Sequence, residues 1–233
     1  MKTAIKRALA YRGLPETERV RAAIASSRHE GWPYCPDDEG DFLFQLARST
    51  SGHDALEVGF ATGSSAAYIL LGLGAGRLTS IDYDQNHFER AGEKLVATLG
   101  LASRHLLVEE DSVKALPELH KGEASYGLVF LDGWKTFDRM WVDTFYCARM
   151  LTVGGLIVFD DAQMPAVRKC ISLLMRYYDF SDAVPQGPLG GWPQRLRYLM
   201  TTRSTHHPYV ALRKTVSVDD TEAGRRYDFW KPF

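Results

Sequence analysis

The feature that most restricts this chain is a rhythm that begins at Asp54. Short apolar runs (Ala55–Val58, Leu78–Ile81, His105–Val108, Tyr126–Leu131 and Gly155–Phe159) alternate with stretches of helical spacing near 64–73, 86–99 and 136–151, and with a short one closing at Leu119. Runs this short, with little polar alternation, fit strands buried on both faces, and strands separated by helices pair in parallel. The expected architecture is therefore a doubly wound α/β domain with a mostly parallel sheet. Ligands of such folds sit in the crevice beyond the carboxyl ends of the strands.

The flanks are less regular. Residues 3–10 and 16–28 suit helices, Gly31-Trp-Pro-Tyr-Cys-Pro36 breaks them, and Asp37-Asp-Glu-Gly40 supplies capping acids before Phe42, Leu43, Leu46 and Ala47. Beyond the core, residues 164–178 predict a helix with Pro165 in its first turn. Arg195–Met200 and Tyr209–Leu212 read as further strands, residues 184–198 as a loop, and Tyr227–Phe233 as an aromatic tail. The 233 residues are expected to form one domain: a helical cap over 1–50, a core over 51–180, and C-terminal strands, loop and tail over 181–233.

Composition narrows the function. A net charge of -1 lacks the basic excess of a nucleic-acid binder. No apolar run is long enough to span a bilayer, and the three cysteines, Cys35, Cys147 and Cys170, form no CxxC. A soluble protein of the reducing cytoplasm is expected.

The strand ends carry the chemistry. Glu57-Val-Gly-Phe-Ala-Thr-Gly-Ser-Ser65 closes one strand and opens a helix. Gly59 and Gly63 allow a tight turn and close approach of a ligand to backbone, although a plain βα turn has the same look. Ala61 and Ser64 break the dinucleotide fingerprint, and no Walker lysine follows. Asp82 ends the next strand, where a carboxylate can accept both hydroxyls of a ribose; Asp84 reads as a helix cap. The third strand reaches Glu109-Glu-Asp-Ser112, acids able to meet an adenine amino group. Asp132 and the pair Asp160-Asp161 follow the fourth and fifth strands. Three carboxylates massed at one edge call for a cation, and hard oxygen donors suit magnesium; caps and ion pairs to Lys135 and Arg168 are the competing explanation.

Taken in order, Asp37–Leu43, Leu56–Ser65, Phe130-Leu-Asp-Gly-Trp-Lys135 and Gly154–Asp161 resemble the class I S-adenosylmethionine-dependent methyltransferases, particularly the catechol and caffeoyl-CoA O-methyltransferase group. The resemblance covers about residues 36 to 170 and implies a seven-stranded, Rossmann-like sheet. It implies that Glu57, Gly59, Phe60 and Gly63 line the methionine moiety of the donor with Ser65 near it, and that Asp82 holds the ribose. By the same resemblance Asp111 or Ser112, with Trp134, flanks the adenine, and Asp132 is counted among the cofactor-binding residues; Asp132, Asp160 and Asp161 fall on the metal positions; and Lys135 falls on the general base, beside Asp132 in the catalytic pair. Two positions depart from the pattern: Asp161 replaces the usual Asn, and Gly133 replaces a larger residue that touches adenine.

The expected activity is O-methylation of a small-molecule hydroxyl with S-adenosylmethionine as cofactor and magnesium assisting. The alternatives are a metal-independent transfer to a sugar, peptide or nitrogen, and a non-catalytic binding module of the same fold. Trp32, Tyr34, Trp134 and Trp192 are candidates to pack on a flat acceptor. A homodimer through the N-terminal helices is the expected assembly, with no nucleic-acid or membrane partner.

Overall fold

The computed structural model describes residues 13–178, 180–182 and 208–216. Seven strands form one sheet: β1 (Ala55–Val58), β2 (Leu78–Asp82), β3 (His105–Glu109), β4 (Tyr126–Leu131), β5 (Leu151–Phe159), β6 (Phe180–Asp182) and β7 (Val210–Lys214). Their spatial order is β3-β2-β1-β4-β5-β7-β6, with β1 to β5 parallel and β7 antiparallel to both of its neighbours. The chain starts at the centre, winds out to β3, returns to β4 and winds the other way. That reversal opens a crevice between the carboxyl ends of β1 and β4.

The helices are α1 (Glu18–Ser27), α2 (Asp37–Ser49), α3 (Ser64–Gly72), α4 (Ala91–Thr98), α5 (Ser112–Lys121), α6 (Phe137–Met150) and α7 (Pro165–Tyr177). Both faces of the sheet are covered. Leu56, Val58, Val129, Leu131 and Ile157 pack towards one cluster with α6 and α7, while Ala55, Leu128, Phe130 and Val158 pack towards α2 and α3. This explains why β1 and β4 are buried at every position and carry no polar stripe.

Three expectations need adjustment. The helix expected over 86–99 is broken: Asn86–Phe88 make a 3-10 turn, Glu89 and Arg90 adopt φ of 49° and 56°, and α4 starts only at Ala91. The cause is packing, since a Cβ on Gly92 would lie 2.4 Å from the Phe60 ring, so the chain must turn before setting the helix against β1's exit. The strand expected from Gly155 begins at Leu151, with a register irregularity opposite Tyr126 and Leu128. Strand β6 was not foreseen; three residues carry no period. The helix over 3–10, the 184–198 loop with Trp192, the strand over 195–200 and the tail over 227–233 lie outside the described residues.

Candidate active site

The glycine turn is built by the chain for itself. Gly59 has φ +95° and Gly63 φ +71°, and Ala61 is also left-handed at +44°. A Cβ on Gly59 would sit 2.4 Å from the Asp132 carbonyl oxygen, and one on Gly63 would sit 2.7 Å from Gly92 Cα. The close approach that demands glycine is therefore to neighbouring backbone. Asp82 completes the turn: its Oδ2 accepts from the Phe60 and Ala61 amides at 2.9 and 2.7 Å, and its Oδ1 from the Asp84 amide. A carboxylate has lone pairs beyond these, so Asp82 keeps capacity for ribose hydroxyls. Asp84 caps the 3-10 turn through the His87 amide, as its position predicted.

Two residues expected to line the crevice point inward. Glu57 is fully buried, its oxygens taken by Ser65 Oγ at 2.5 Å and Ser80 Oγ at 2.7 Å. Burial, opposed by those two hydroxyls, pushes its carboxyl up to about 8. Ser80 also meets His105 Nε2 at 3.0 Å. The Phe60 ring is buried and stacks on His105 at 4.7 Å, leaving its backbone amide as the part that faces the turn. Helix α3 begins at this point with no side-chain cap among the described residues, so its first amides are donors open to a ligand.

Across the crevice, pairing of β4 with β5 brings Asp132, Asp160 and Asp161 together, with one carboxylate oxygen of each within 4.8 Å of the others. Lys135 Nζ stands among them, 2.8 Å from Asp132 and 3.9 Å from both Asp160 and Asp161. Asp161 adopts φ 52°, a backbone setting that Asp and Asn tolerate better than most residues, which accounts for either residue at this position. Burial and the adjacent Asp132 raise the Asp160 carboxyl well above its ordinary range. Lys135 moves the other way from what a general base requires. Burial opposes its charge, but Asp132, Asp160 and Asp161 together outweigh burial and raise its pKa. It is held as an ammonium.

Two members of this hollow escaped the sequence. Glu39, in the first turn of α2, is buried and pushed up to about 8 by desolvation and by Asp132, with Tyr209, Lys135 and Cys35 opposing the shift. Tyr209 hydrogen-bonds it from the segment leading into β7. The signal was Gly40, where a Cβ would strike the Tyr68 ring at 2.3 Å: a glycine inside a helix marks close packing, and so the burial of its neighbours.

The remaining positions disperse. Asp111 caps α5 through the Val113 amide and pairs with Arg139 Nη1 at 2.5 and 2.6 Å, Glu109 pairs with Arg90, and Glu110 with Lys114. Trp134 is 65% exposed at the rim of the crevice. Trp32 stacks on His29 at 4.3 Å with Phe88 at its edge, and the Tyr34 hydroxyl bonds His29 and Ser27, so both belong to the hairpin after α1 rather than to the acid hollow.

A family model described as a methyltransferase domain matches residues 56–162, the stretch that runs from β1 to the acids after β5. Residues 56–162 therefore resemble a methyltransferase domain over just under half of the chain. Around this domain the chain is 30% identical over 151 residues to a candidate O-methyltransferase of Mycobacterium sp. (strain JLS), covering 58% of this chain and 66% of that one. It is 27% identical over 132 residues to caffeoyl-CoA O-methyltransferase 2 of Eucalyptus globulus, covering 53% of this chain and 51% of the plant enzyme. The chain thus spans about half to two thirds of the length of these curated relatives. In structure it resembles the O-methyltransferase TomG of Streptomyces achromogenes, solved in complex with SAM, with a TM-score of 0.65 at 18% identity over 91% of this chain and 95% of that one. The methyltransferase fold expected from the motifs is the fold observed. Among the described residues no helix is long and apolar enough to cross a membrane.

Proposed function

We propose that this chain is an S-adenosylmethionine-dependent O-methyltransferase acting on a hydroxyl of a small molecule. The observation that carries the reading is that two chemistries share one wall. The turn after β1 and the acids after β4 and β5 meet where Gly59 abuts the Asp132 carbonyl. A donor seated on the turn would present its methyl group to the acid hollow. Transfer from a sulfonium is an in-line displacement with an activated donor, so the protein's main task is alignment.

The uncapped start of α3 offers backbone amides to the donor's carboxylate, and Asp82 offers acceptors to its ribose. Asp132, Asp160 and Asp161 form a hard-oxygen set that suits a magnesium ion and would hold it. When bound, such an ion lowers the pKa of an acceptor oxygen. Lys135 fixes Asp132 in place, and a cation held by the three acids would offset the charges that raise its pKa, leaving burial to favour the neutral amine that its expected role as proton acceptor needs.

The second reading is metal-independent, and one observation favours it: the Lys135 ammonium already stands among the three acids. The chain is further proposed to act in the cytoplasm, its three cysteines unpaired, and as a homodimer, for which solution scattering giving a monomer mass is the contrary result. Calorimetric titration with S-adenosylhomocysteine tests the donor site; saturable binding is expected, and none in folded protein rejects the proposal. Turnover of a catechol panel with and without EDTA separates the readings, since chelation abolishes activity only if the acids hold a metal.

A further inference from the structure

One contact at the acid hollow belongs neither to the donor turn nor to Lys135. Gln163 sits in the turn after β5, where the Met164 amide donates to the Asp161 carbonyl at 2.8 Å and the Ala162 amide to the Pro208 carbonyl at 2.7 Å. The turn keeps the half-buried Gln163 side chain beside Asp161, and its Nε2 donates to Asp161 Oδ1 at 2.8 Å. A carboxylate only accepts, so the amide presents its NH2 end there and turns its carbonyl away. That carbonyl oxygen, Oε1, is buried and has no hydrogen-bond partner among the described residues. A flipped amide would set Oε1 against the Asp161 carboxylate, acceptor to acceptor. The bare carbonyl is thus the cost of keeping a donor on Oδ1, and a cost of this kind calls for an explanation.

The two oxygens of Asp161 are made unequal by this contact. Gln163 engages Oδ1, whereas Oδ2 lies 3.9 Å from Lys135 Nζ, the ammonium that stands among the three acids. Asp132 is treated alike, since Lys135 donates to its Oδ1 at 2.8 Å. A carboxylate with one oxygen engaged offers a cation the other and is hindered from chelating through both. Calcium takes carboxylates through one oxygen or two in a flexible shell, while magnesium demands a compact octahedron. We propose that Gln163 is a positioning residue that makes Asp161 a one-oxygen ligand and so tunes the hollow for a small octahedral cation against calcium. An Asn, which the resemblance expects at 161, has a single side-chain oxygen to offer; Gln163 imposes the same limit on the carboxylate found there.

This inference rests on the metal-assisted reading of the hollow, and one set of titrations separates the two. Manganese(II), another octahedral hard-oxygen cation, is titrated into the full-length wild type, Gln163→Met, Asp161→Ala and the double variant, and is read by the paramagnetic resonance of the free ion. Calcium is read by competition against it. The wild type is expected to bind manganese at least about 10-fold more tightly than calcium. Gln163→Met should weaken manganese about 10-fold and calcium by less than about 3-fold, which removes most of the preference. In the Asp161→Ala background the same substitution should alter neither cation by more than about 2-fold, because Gln163 acts through Asp161. A merely structural role would weaken both cations in proportion. That result, a wild type with no preference, or an effect that persists without the Asp161 carboxylate overturns the proposal. Should Gln163→Met fail to fold, Gln163→Ala removes the same donor and decides. Wild type that binds neither cation overturns the metal-assisted reading itself, and this inference with it.

Discussion

Around the glycine turn, polar groups are answered from within. Glu57 has Ser65 and Ser80, Ser80 has His105, and Asp82 has three backbone amides. Around the acid hollow, Glu39, Asp132, Asp160 and Asp161 face a single Lys135, and two of the four are pushed far from their ordinary titration range. The first region is a finished backbone mould. The second, among the described residues, sets one lysine against four carboxyl groups, and massed carboxylates are costly unless a cation or a proton joins them. What binds at the turn is set by shape, and what reacts at the hollow is set by charge.

That contrast can be broken most forcefully at Gly59. Gly59→Ala forces a Cβ into the Asp132 carbonyl at a left-handed backbone position, and a loss of about 3 kcal/mol in stability with no measurable S-adenosylhomocysteine binding is expected by thermal melting and calorimetry. A variant that melts like the wild type would show that the turn is not a fixed mould.

His105 tests the same mould through pH. Burial lowers its pKa to about 4, so the unfolded chain binds the proton more readily. Stability is therefore present above about 6.5 and falls as pH drops towards 4, by about 3 kcal/mol across that window. Denaturant titrations between those pH values should show this limb, and His105→Phe should flatten it.

On the hollow's side, Lys135→Met removes the resident cation. Turnover is expected to fall about 100-fold while donor affinity changes by less than about 3-fold. Equal losses in both would merge the two regions into one. The mildest change is Asp161→Ala, expected to lower magnesium affinity about 10-fold by calorimetry and leave donor binding intact. No change in magnesium binding favours the metal-independent reading.

The sheet was legible because its central strands β1 and β4 are buried at every position and so appear as short apolar runs such as Tyr126–Leu131. The acids at 132, 160 and 161 were legible because adjacent parallel strands end at one edge. What the pattern hid is orientation. Glu57 and Phe60 belong to the turn by sequence, yet their side chains leave it for the interior, since β1 has no solvent face. Glu39 and Tyr209 were hidden for a different reason: each lies far along the chain from the groups it meets, and only the folded sheet brings them there. The direction of the Lys135 shift also required three dimensions, because it depends on a balance of burial against three neighbouring charges.

The Tyr209 hydroxyl on Glu39, together with the Pro208 carbonyl on the Ala162 amide at 2.7 Å, joins the hollow to the last described strand. A nascent polypeptide emerging from the ribosome would possess its nucleoside cradle long before that seam closes. The hollow is thus completed only by the end of the described chain, and shortening the chain ahead of β7 would strip the partner strand from β5, which carries the acids.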